Sequence, residues 1–370
     1  MNKLYFYLFT LLALTTTSTV YSATFCATTS AELQQALDTA AGNNQADIIK
    51  IKTGDYIIPP GGFEYEGVNE DHGLEISGGW TPSPLDPCTF HFNNTSVLDT
   101  VLDGDSLARV LFIHSGATSD NFKVSNLTFI DGTAENPNAG GLQFLPHGNF
   151  SGDFLLERSA FVNNQSNSAS ALLVLAGINN SKVIIRNNLF FSNNNLNNNY
   201  AVVLRNNTGL GIYFTNNTVI SNTATATNRG GLGVLLYGSA DAYVANNILW
   251  NNDTIDMQIS DFDNATGTVY AFNNNIGTQQ IGAAFQSANN ISIPPLFEDG
   301  FLAYIPTADS QMLDVGIHPP QIPSPPNFLN AWQLGEIDFL GNPRVQGIKV
   351  DMGAFEAPPR PDLIFVDGFE

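Results

Sequence analysis

Between Phe122 and Ile276 the apolar and polar positions repeat as a block, six times over. Each block opens on a short apolar or alternating stretch: Phe122-Lys123-Val124, Phe154-Leu155-Leu156, Val183-Ile184-Ile185, Ile212-Tyr213-Phe214, Ala242-Tyr243-Val244 and Val269-Tyr270-Ala271. The starts lie 32, 29, 29, 30 and 27 residues apart. Four blocks run on into an Asn pair, Asn187-Asn188, Asn216-Asn217, Asn246-Asn247 and Asn273-Asn274. The opening stretch predicts a strand with Val183 and Ile185 inward and Ile184 and Arg186 outward. A second strand follows the Asn pair, as in Leu189-Phe190-Phe191, and a third is Gly141-Leu142-Gln143-Phe144 with its relatives. In that third column Leu142, Leu172, Val202 and Leu232 fall 30 residues apart.

A fixed period of this size marks a repeat architecture. The turns vary in length while the strand spacing stays nearly constant, which favours stacked coils over hairpins. Parallel stacking pairs every strand with the coil above and below, at ~4.8 Å per coil. Asn tolerates left-handed backbone at a bend, and stacked Asn amides bond one another in a ladder. The expected fold is therefore an all-β parallel β-helix solenoid.

The flanks break the pattern. Residues 23–105 read as an N-terminal cap and first irregular coils, with one helix from Ser30 to Leu37 that Ser30 would cap. Short strands follow at Ile48–Ile51, Tyr56–Ile58, Leu74–Trp80 and Thr100–Gly104. Residues 106–290 are the regular coils, 291–357 an irregular C-terminal cap, and 358–370 a Pro-linked tail ending Ile364-Phe365-Val366-Asp367-Gly368-Phe369-Glu370.

Over residues 75–280 the chain resembles right-handed parallel β-helices of the pectate-lyase-like class. The coils also resemble polymorphic outer-membrane protein repeats. Their Phe-x-x-Asn hallmark is present at Phe161 to Asn164 and Phe190 to Asn193, and degenerate at Val219 to Asn222 and Leu249 to Asn252. Their Gly-Gly-apolar element is present at Gly140-Gly141-Leu142 and Gly230-Gly231-Leu232. The series Pro294-Pro295-Leu296-Phe297, Asp314-Val315-Gly316, Asp338 to Arg344 and Val350 to Glu356 resembles the choice-of-anchor Q-type segment of secreted bacterial β-helices. The terminal heptapeptide is similar to a signature on some secreted Gram-negative proteins. Together these imply a secreted or cell-surface protein of a Gram-negative bacterium.

The N-terminus supports export. Met1-Asn2-Lys3, the apolar run Leu4 to Ala13 and small residues up to Ser22 read as a signal peptide over residues 1–22; the alternative is a membrane anchor. No later stretch is long and apolar enough to span a bilayer as a helix. The formal charge of -21 repels nucleic acid and anionic membranes. The only cysteines, Cys26 and Cys88, are expected to bond in an oxidising compartment, the alternative being two buried thiols.

Candidate chemistry is sparse. Hydrolases of the resembled class carry Asn-Thr-Asp, paired Asp and Gly-His-Gly signatures, and its best-known lyases carry Trp-Ile-Asp-His; none is present. The basic candidates are Arg186, Lys123, Lys182, Arg205 and Arg229. Coil alignment sets Glu157 beside Arg186, either as an ion pair or as a catalytic base flanked by an acid. Asp253, Asp256, Asp261 and Asp263 gather in one stretch that would supply oxygens to Ca²⁺. Tyr213, Tyr243 and Tyr270 occupy the outward column of three successive coils, a platform for sugar rings if exposed and a protein contact if covered. The expected function is a non-catalytic scaffold that binds an extracellular or cell-surface polysaccharide or protein. The alternative is an acidic-polysaccharide lyase.

Overall fold

The computed structural model describes residues 22–91, 97–175, 179–197, 199–225, 229–298, 304–317 and 333–358. Residues 1–21 of the segment read as a signal peptide, and all of the terminal tail but residue 358, lie outside these residues. The described chain is a parallel β-solenoid of about eight turns, consistent with the right-handed β-helix expected. Its coils stack into a first sheet of eleven strands and second and third sheets of eight strands each. A four-stranded sheet of two-residue pieces, Thr133–Ala134, Gln165–Ser166, Asn194–Asn195 and Thr223–Ala224, was not foreseen from the sequence.

Alternation decides what goes inside. Val183, Ile185, Val202, Leu204, Leu232 and Val234 fill the core. The register stacks like on like, for instance Phe129, Phe161 and Phe190 in one column. Their rings stack at 4.6 and 4.8 Å, so the Phe of the Phe-x-x-Asn motif fills the lumen.

The Asn pairs serve the bend. Each coil turns between its first and second sheets through a left-handed residue: Asn187, Asn216, Asn246 and Asn273 have φ of 55, 53, 58 and 50°. The second Asn of each pair then points inward. Asn188, Asn217, Asn247, Asn274 and Asn290 form one buried ladder, each amide donating to the next Oδ1 at 2.9–3.3 Å. A parallel ladder follows the second strand, through Asn164, Asn193, Asn222 and Asn252, and ends on the Asp256 carboxylate. Both ladders satisfy backbone groups that a sharp buried turn would otherwise orphan.

At the N-terminal end α1, Ser30–Ala40, packs Leu33, Ala36, Leu37 and Ala40 into the same core. Its cap is Thr29, not Ser30: the Thr29 hydroxyl accepts from the Glu32 amide, while Glu32 reaches back to the Thr28 amide at 2.8 Å. The Cys26–Cys88 disulfide forms, closing a sequence separation of 62. By loop-closure entropy such a bridge contributes about 4 kcal/mol.

The described parts of the C-terminal segment, residues 304–317 and 333–358, run along the outside of the solenoid as a strap over the first and second sheets, and the third-sheet strand Gln279–Gly282 is exposed. The first Asn of each pair holds the strap. Asn187 donates to Leu334 O and Ile337 O, Asn216 to Asp351 O, Asn246 to Ile317 O and Asn273 to Val315 O, all at 2.8–3.0 Å. Arg344 knots the strap by donating to Ala354 O, Asp351 O and Gly353 O. Burial pushes the neighbouring Glu356 carboxyl up to about 8, against the pull of Arg344.

Two outcomes follow. Thiol titration of unfolded, unreduced mature protein is expected to find no free thiol; two would contradict the bridge. Asn217 accepts from Asn188 and donates to Ile185 O, Thr215 O and Asn247 Oδ1 while fully buried. Asn217→Ala is expected to cost about 1–3 kcal/mol. An unchanged urea midpoint would contradict the ladder's role.

Candidate functional site

The tyrosine column exists, but Tyr213 and Tyr243 are buried and Tyr270 is half-buried. Tyr213, Tyr243 and Tyr270 are in register on adjacent strands, with rings stacked at 4.8 and 5.3 Å. The strap covers them: Ile317, Leu334 and Val350 pack on Ile184, Tyr213 and Tyr243, leaving Tyr243 only 2% exposed. Burial, with Asp153 and Asp241 nearby, pushes the Tyr213 hydroxyl up from its ordinary value. The expected exposed platform is therefore corrected to a packing surface. Nothing in the repeat period foretells this, because the covering residues come from the non-repeating segment.

Arg186 and Glu157 meet as the register predicts. Arg186 Nε and Nη2 donate to Glu157 Oε2 at 2.8 and 2.6 Å, and Nη1 donates to Gln333 O of the strap at 3.1 Å. Lys123 lies between Glu75 and Glu157 at 3.3 and 3.5 Å. The arrangement is a half-buried charge chain that runs across four adjacent strands. It has the geometry of a structural ion pair, with the guanidinium bonded on both sides.

The four aspartates do not come together. Asp256 is buried and terminates the second ladder, Oδ1 accepting from Asn252 and Oδ2 from the Thr278 amide at 2.8 Å. Asp253 accepts from the Ala224 amide, Asp261 from the Ala265 amide, and Asp263 is an exposed turn residue with φ of 56°. Among the described residues no three His, Cys, Asp or Glu side chains group to hold a metal ion. The expected Ca²⁺ site is corrected accordingly: adjacency in the sequence spread over turn, ladder and strand.

One built cleft lies elsewhere. On the outer face of the third sheet, register sets Arg205 between Leu175 and Leu235. Leu145, Pro146, Leu175, Arg205, Asn207 and Tyr237 line a cavity of about 270 Å³ there. Tyr237 is stacked on Phe262 at 4.8 Å with the rings 7° from parallel, which fixes one wall. Tyr200 lies across Gly233 on the same face; a Cβ at Gly233 would collide with its ring. Sequence reasoning had noted Arg205 only as one base among several. The usable signal was the 30-residue spacing, which puts leucines and no acid beside it.

No family model, curated protein or solved structure matches the chain. The family resemblances therefore stand on the motifs quoted for them, and the parallel β-helix is what the structure supports. Among the described residues no helix is long and apolar enough to cross a membrane.

Tyr243→Ala is expected to behave as a core truncation, lowering stability by about 3–5 kcal/mol. A loss of less than about 0.5 kcal/mol in urea denaturation would show that the strap leaves the column open.

Proposed function

We propose that the protein is a non-catalytic binding scaffold, secreted or held at the cell surface, whose partner is an extracellular or cell-surface polysaccharide or protein. The observation that carries the non-catalytic half is the state of Arg186. A lyase base must reach a substrate proton within hydrogen-bond distance. Here the guanidinium is bonded to Glu157 on one side and to Gln333 O on the other, beneath the strap. Asp256, the most buried of the acidic candidates, is bound into a ladder. The disulfide supports an oxidising compartment. The long parallel scaffold suits extended surface contact, as stacked repeats generally do.

The test is affinity electrophoresis against acidic and neutral polysaccharides, with the absorbance of unsaturated product followed in parallel. The expected result is retardation by at least one glycan with no unsaturated product from the wild type. Unsaturated product that disappears in Arg186→Ala would overturn this reading in favour of an acidic-polysaccharide lyase. No retardation by any glycan would overturn the glycan as partner.

A further inference from the structure

The cleft at Arg205 carries an inference that goes beyond glycan binding. The chain has 34 acidic residues against 13 Lys and Arg, and several of its cations are held by an acid. Arg109 pairs with Glu64, Arg186 with Glu157 and Arg344 with Glu356. Arg205 differs. Among the described residues it forms no hydrogen bond or ion pair, and its Nε is buried without a partner. A half-buried guanidinium with an unsatisfied N–H is costly unless something accepts from it. Its neighbours in the coils above and below are Leu175 and Leu235, which accept nothing.

The walls define what would fit. The guanidinium offers a planar fork of donors matched to a carboxylate. Leu145, Pro146 and Leu175 supply apolar surface, and the Tyr237 ring, braced by Phe262, supplies a flat one. Asn206, whose Oδ1 is also buried without a partner, and Asn207 are the only amides in a lining that is otherwise mostly apolar, so most hydroxyls of a sugar would find no partner there. The cavity, about 270 Å³, lies just below the usual size of ligand sites, roughly 300 to 1,000 Å³, so only a small ligand fits. The net charge of -21 also disfavours a long polyanion, while a single charge set against one arginine feels mainly that arginine, because exposed charges beyond about 8 Å are screened.

We propose that this cleft binds a small monocarboxylate with an apolar body, an aromatic or short aliphatic acid, its carboxylate on Arg205 and its body against Leu145, Leu175 and Tyr237. The interaction is reversible binding and involves no bond making.

Isothermal titration of the full mature chain with benzoate and hexanoate tests it. Benzamide serves as the uncharged match and galacturonate as the charged, hydroxyl-rich one. Benzoate and hexanoate are expected to bind, benzamide and galacturonate at least about tenfold more weakly, a difference of about 1.4 kcal/mol. Arg205→Gln is expected to remove benzoate binding by a similar factor while the melting temperature stays near wild type. Should Arg205→Gln fail to fold, Tyr237→Ser is the second variant, expected to weaken benzoate several-fold. Equal affinity for benzoate and benzamide, tighter binding of galacturonate, or no binding of either acid by the wild type would each overturn the proposal. Polysaccharide retardation is expected to be unchanged in Arg205→Gln, so this proposal and the glycan reading fail separately.

Discussion

Every buried bend in this solenoid must satisfy its own backbone groups, and the Asn ladders do that. A parallel coil pairs its strands with the coils above and below, but a tight corner has no such guarantee. Asn188, Asn217, Asn247 and Asn274 lie inside the corner, each accepting from one neighbour's amides and donating to the next. The corner must therefore repeat the same residue at the same place in each coil. Once it does, the strands on either side are held in register, and the Phe column between the corners stacks as a consequence.

The repeat is what made the fold legible. Two columns of regular recurrence gave the strands, their direction and their inward faces. The Asn pairs were legible as ladder residues, but not the division of labour within each pair. The second Asn faces the core, while the first takes left-handed backbone and holds the strap, as Asn216 does on Asp351 O. The strap itself was illegible because residues 291–357 have no period to read. With it went the burial of Tyr213 and Tyr243, since their exposure depends on where a non-repeating segment returns. Arg205 was half legible: the column placed it between leucines, but only the folded chain shows a cavity beside it and, among the described residues, no acid paired with it.

Stacking also governs the electrostatics. In a parallel register each side chain meets the residue one coil away, so a charge's environment is written about 30 positions off in the sequence. Glu157 beneath Arg186 makes a satisfied pair, and Leu175 beneath Arg205 sets an apolar side chain against the cation. The same geometry thus makes one arginine structural and the other available. What differs is the neighbour, not the arginine.

The strap has a consequence for the length of the molecule. Its four anchoring asparagines, Asn187, Asn216, Asn246 and Asn273, come one per coil, whereas their acceptors belong to a segment that does not repeat. A solenoid core is indifferent to gaining or losing a whole coil, because each coil packs only on its neighbours. The strap is not indifferent. A coil inserted between Asn187 and Asn273 would preserve both ladders yet displace every later anchor by ~4.8 Å, one coil rise. The strap thus acts as a ruler that fixes the coil count along its own length, and whole-repeat growth is left to the coils before its first anchor.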